Sequence, residues 1–129
     1  MMSDLLLHHR HLPGITVVTI AGELDGTNNE ALESYIKDAR RASGEQLVLD
    51  LTEPSFMDSS GLRVLLDTYH LTSREGAHVQ LGNPRGEPAR LLSATKVDTI
   101  LRAHSSVTEA IDEASKPEPI AAESRQLPS

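Results

Sequence analysis

LVLDLTEPSFMDSSGLRVLL, residues 47–66, changes its periodicity partway through. Leu47–Leu51 reads as a buried strand. Beyond it Leu62, Leu65, Leu66 and Tyr69 recur at i, i+3, i+4 and i+7, the stripe of an amphipathic helix starting near Ser59. An acid, two hydroxyls and a glycine (Asp58, Ser59, Ser60 and Gly61) stand at the junction. A strand that runs into a helix is half of a crossover unit, so this stretch predicts parallel strands with helices against them.

The flanking sequence extends that pattern in both directions. Upstream, Leu5–His11 and the β-branched run Ile15–Ala21 flank Pro13-Gly14, which predicts a hairpin. Thr27 and Glu30 have capping-box spacing ahead of Leu32, Tyr35, Ile36 and Ala39, with Gly44 as the stop of that helix. Downstream, Gly76 ends the second helix and His78–Leu81 forms a fourth strand, stopped at Asn83-Pro84. Glu87–Leu92 suits a short helix, and Ser106 with Glu109 opens a last one over Val107, Ala110, Ile111 and Ala114. There is no internal repeat. The expectation is α/β: one domain over residues 1–115, a small mixed sheet flanked by helices, followed by a disordered tail over 116–129 that holds three prolines.

Composition narrows the function classes. A chain of 129 residues suits one domain. With 2% aromatics, one Phe and no Trp, its core must rest on aliphatic side chains. The lack of cysteine excludes disulfides and thiolate metal sites and fits a reducing compartment. A net charge of −7 argues against direct nucleic-acid binding. No run approaches transmembrane length and no basic leader precedes an apolar stretch, so a cytoplasmic protein without a membrane partner is expected.

Three roles compete for the serine junction. One is a helix cap, which Ser and Asp favour; yet one capping side chain suffices, and three polar residues stand in a row. A hydrolase nucleophile would sit in G-x-S-x-G, whereas the flank here is Met57-Asp58-Ser59-Ser60-Gly61, without the first glycine. His70 lies too far along the helix to act as its base. A phosphate acceptor is the third, because a helix amino terminus tolerates an added dianion. Spacing alone does not separate Ser59 from Ser60. Asp50 in LVLDL superficially suggests a receiver phospho-aspartate, but the first strand runs into His8, His9 and Arg10 where an acidic magnesium-binding pair would be needed. His9 and His11 alternate onto one strand face but have no evident third metal ligand. Arg63, Asp67, His70 and Arg74 make a polar stripe, with Arg63 one turn beyond Ser59. No cofactor and no catalytic constellation are expected.

Taken in order, GELD at 22–25, LVLDL, SFMDSSGLRVLL, Asn83-Pro84 and RLLSATKVDTIL at 90–101 resemble the STAS-domain anti-sigma-factor antagonists of bacteria over about residues 5–115. The resemblance implies a STAS-like mixed sheet with packed helices. It also implies a partner: an anti-sigma factor that is a serine kinase of the histidine-kinase-like ATPase type. In such a system the unphosphorylated protein holds the kinase and frees a sigma factor. Phosphorylation of the first serine after the aspartate ends the contact, and a phosphatase restores it. Carried over, the acceptor is Ser59, and the partner surface is Asp25, Asp58, Ser59, Ser60, Gly61 and Arg63. An alternative within the same resemblance is a scaffold or ligand-binding STAS module of a stress-signalling assembly that is not itself phosphorylated.

Overall fold

Pro13 fixes the approach to the first turn and Gly14, at φ +74°, completes it, folding strand β1 (Leu5–Leu12) back on β2 (Ile15–Leu24). This is seen in a computed structural model that describes residues 5–116. The expected tail, beyond Lys116, lies outside the described residues. After the hairpin come α1 (Asn29–Ala39), β3 (Gln46–Met57), α2 (Ser59–Arg74), β4 (Val79–Gly82) and α3 (Gly86–Ala94). A single 3-10 turn (Val97–Thr99), β5 (Arg102–His104) and α4 (Val107–Ala114) complete the fold. The five strands lie in the order β1-β2-β3-β4-β5, antiparallel in the hairpin and parallel from β2 onward.

Strand alternation divides the apolar side chains between two faces. Val18, Ile20, Leu24, Leu47, Leu49 and Leu51 join Leu32 and Ile36 of α1, Leu62 and Leu65 of α2, and Leu92 of α3 in the larger core. Ile15, Val17 and Val48 point the other way, against Ala110 and Ala114 of α4. The core is aliphatic, as the composition requires. Each buried Leu, Ile or Val contributes about 1.5–3 kcal/mol relative to exposure, so the two-faced pattern holds the helices to the sheet.

The structure corrects several sequence expectations. The strand expected over Leu47–Leu51 runs on to Met57. Pro54 would be excluded from a central strand, but β3 passes the end of β4 at Asp50 and is an edge strand from there on. Two register shifts against β2 absorb the extra residues. Thr27 does not cap α1; Asn28 holds the cap position and makes no side-chain cap bond. That helix ends at Ala39, short of Gly44, because Arg40 is already extended at ψ 134°. β5 went unpredicted. Gly76, by contrast, ends α2 as expected: at φ +82° it donates to Ser73 O at 3.0 Å, and Ala77 N donates to Thr72 O at 3.0 Å, a Schellman closure.

Candidate functional site

Parallel pairing carries the carboxyl ends of β2 and β3 to the same edge. Leu24 lies opposite Met57, and the Asp58 N–H donates to the Leu24 carbonyl at 3.2 Å. The 23–25 and 58–60 loops are therefore neighbours. Asp58 is the cap of α2: its Oδ1 accepts from the Ser60 N–H at 2.9 Å and the Gly61 N–H at 3.2 Å. With the cap supplied by Asp58, neither serine is needed for it.

The two serines have different surroundings. Ser59 is exposed on the first turn of α2, whereas Ser60 is half-buried. A Cβ at Gly26 would stand 3.3 Å from Ser60 Oγ, so the 25–27 loop lies over that hydroxyl. Gly61 is buried beneath them, where a Cβ would meet Leu24 Cγ at 2.7 Å and Met57 Cγ at 2.9 Å. Its place in the site is to let the helix terminus sit against the strand ends.

Asp25 organises the neighbouring loop. Its Oδ1 accepts from the Thr27 N–H at 2.8 Å and the Thr27 hydroxyl at 2.6 Å. Asn28 secures the same loop, accepting from the Asp25 N–H at 3.0 Å and donating to the Glu23 carbonyl at 2.9 Å. Gly26 and Asn28 are absent from the residues expected in the site. The Gly-Thr-Asn-Asn run after the strand was the available signal, since Asn and Gly are turn formers that bond to nearby backbone. The amino termini of α1 and α2 both open onto this edge, so two positive dipole ends face a loop pair bearing Asp25 and Asp58.

Arg63 lies one helical turn from Ser59, with an 80% exposed side chain whose Nε is 3.9 Å from Asp67 Oδ2. His70 and Arg74 continue an exposed stripe. The other sequence candidates lie elsewhere. Asp50 is spent within the sheet, Oδ1 accepting from the Thr52 N–H at 3.0 Å. His9 Nδ1 is 2.7 Å from the Tyr35 hydroxyl, and His11 Nδ1 is 3.2 Å from Thr16 Oγ1. Among the described residues no group of three His, Asp or Glu side chains is placed to hold a metal, and no helix is long and apolar enough to cross a membrane. Glu45 belongs to the opposite, hairpin end, where Thr16 Oγ1 donates to its Oε1 at 2.5 Å and Arg41 Nε to its Oε2 at 2.6 Å. Burial alone would raise its pKa, but the bonds from Arg41 and Thr16 outweigh that and bring it from 4.5 to about 2.

Comparison with known proteins identifies the family of the fold. The profile of the STAS domain matches residues 8–110. The chain is 31% identical over 107 residues to the anti-sigma F factor antagonist of Paenibacillus polymyxa, covering 82% of this chain and 89% of that one. It superposes on an anti-sigma factor antagonist from Mycobacterium paratuberculosis with a TM-score of 0.78 at 25% identity, covering 88% of this chain and 96% of the other. The antagonist SpoIIAA in its unphosphorylated form shares the fold at a TM-score of 0.68 and 21% identity, over 85% of this chain and 95% of that chain.

Proposed function

This chain belongs to the STAS-domain family, among the anti-sigma factor antagonists, and on that premise we propose that it is a phosphorylation-switched binding protein. In the unphosphorylated state it holds an anti-sigma factor that is also a serine kinase of the histidine-kinase-like ATPase type, and so frees a sigma factor in the cytoplasm. The kinase transfers the γ-phosphoryl group of ATP to Ser59 Oγ; ADP leaves, and the hydroxyl proton passes to the kinase. The complex then separates until a phosphatase removes the phosphate. This chain supplies the acceptor and the contact surface, with Asp25, Asp58, Ser60 and Arg63 around Ser59 and Gly61 seating the loop from below. It performs no catalysis of its own.

The exposure of Ser59 beside a half-buried Ser60 carries this reading. A kinase must reach the hydroxyl, and Ser59 is exposed whereas the 25–27 loop lies over that of Ser60. The added dianion would meet the positive end of the α2 dipole, so this protein's own fold is little disturbed. No such compensation exists across the partner interface, where a charge forced into a fitted contact costs several kcal/mol, about a hundredfold or more in affinity.

Mass spectrometry after incubation with the kinase and ATP tests the assignment. Label is expected on Ser59 in the wild type and in Ser60→Ala. In pull-downs Ser59→Ala should retain the kinase and Ser59→Asp should lose it. Label on Ser60 alone would reassign the acceptor. No label on either serine, with Ser59→Asp binding like wild type, would favour the unphosphorylated scaffold reading.

A further inference from the structure

The second face of the sheet is covered unevenly. Over the hairpin end, α4 packs on Ile15, Val17 and Val48. Toward the serine edge the same face carries Leu6 opposite Ala21 and Phe56 opposite Glu23. Their sequence neighbours Leu7, Ile20, Leu24 and Met57 all point into the larger core on the other side, which fixes the orientation of this set. Leu6 is 61% exposed and Phe56, the chain's one phenylalanine, 40%. Glu23 and Glu53 are exposed beside them, giving the patch an acidic border.

Resting on the proposed function, we propose that Phe56 is an aromatic anchor of the kinase interface, seated in an apolar pocket of the kinase that is rimmed by Lys or Arg. The geometry of the acceptor loop places it there. Phe56 precedes Ser59 by three residues, which span at most about 11 Å of chain. A standard protein–protein footprint covers about 800 Å² per partner, a disc of about 16 Å radius. A kinase centred on Ser59 and meeting this side of the edge therefore covers Phe56. Leu6 lies two strands away and falls at the margin of such a disc. Aromatic residues, Phe included, are enriched in interfaces, and a few anchors buried in partner pockets carry most of the affinity. The acidic border of Glu23 and Glu53 calls for a basic rim on the partner.

The test is titration of the anti-sigma kinase against Phe56→Ala, Leu6→Ala, Leu71→Ala and Ser59→Asp, with circular dichroism on each. Phe56→Ala is expected to weaken binding about thirtyfold, to raise the KM for phosphorylation of Ser59, and to leave its kcat unchanged. Leu6→Ala should cost about threefold or less. Leu71→Ala, at a similarly exposed apolar residue on the fourth turn of α2, should cost nothing. Folded Phe56→Ala that binds within threefold of wild type, while Ser59→Asp still releases the kinase, overturns the anchor and leaves the switch standing. Should Phe56→Ala fail to fold, hydrogen exchange on the wild-type complex decides: protection at residues 53–57 supports the anchor, and unchanged exchange there overturns it. A wild-type chain that neither binds nor is labelled by the kinase refutes the switch, and the anchor with it.

Discussion

At Gly61 the missing side chain is a packing requirement. A Cβ at 2.7 Å from Leu24 Cγ cannot be accommodated without moving the amino terminus of α2 or the end of β2. Gly61→Ala is therefore expected to lower stability by about 1–3 kcal/mol in urea unfolding, the usual cost of overpacking. It should also weaken kinase binding beyond what stability explains, because it displaces the loop that presents Ser59. Asp58→Ala should cost about 1 kcal/mol by loss of the cap. Ser59→Asp adds a charge the helix terminus favours by about 0.3–1 kcal/mol, so its melting temperature should equal or slightly exceed that of wild type. The close approach of Gly61 to Leu24 is tertiary, but the Asp58 cap and the helix start at Ser59 were legible in the sequence because both are local. Gly26 and Asn28 were not, since they act on a loop that only the β2–β3 pairing brings alongside.

Among the elements, the end of α1 carries the strongest electrostatic constraint. Glu45 is 6% exposed and ties the loop after α1 to β2 through Arg41 and Thr16. Arg41 also donates to the Leu12 carbonyl at 2.6 Å, closing the loop onto the hairpin. The folded-state pKa of Glu45 is lowered from 4.5 to about 2, so the unfolded chain binds more protons between those values. Its contribution, roughly 3 kcal/mol, is complete above pH 4.5 and lost as pH falls toward 2. Chemical denaturation across that window should show the decline, and Glu45→Gln should remove this part of the slope while lowering stability at neutral pH. The same scale explains what sequence reading missed. Arg102–His104 is too short and too polar to show strand periodicity, and parallel pairing with β4 makes it a strand. Glu53-Pro54-Ser55 lies beyond the strand expected over Leu47–Leu51, and edge position with two register shifts lets it continue β3. Long apolar runs with clear periodicity, such as β2 and α2, were recognisable because local pattern and tertiary burial agree there.

For the molecule as a whole, the described residues build a core on each face of the sheet. Deletion of residues 117–129 is accordingly expected to leave the melting temperature nearly unchanged. The sheet order repeats the chain order, β1-β2-β3-β4-β5. No strand has to be threaded between two that are already paired, so the sheet can grow from one side as the chain leaves the ribosome. The hairpin, closed by a two-residue turn, offers the first template; β3 adds to it, then β4 and β5, each waiting only for its own crossover to be synthesised. During refolding, pulse-labelled hydrogen exchange should find amides of β2 and β3 protected before those of β5. Protection of β5 ahead of β3 would rule out this sequential order. On the growing polypeptide the 58–60 loop would take shape once α2 has docked, before β5 and α4 have been made.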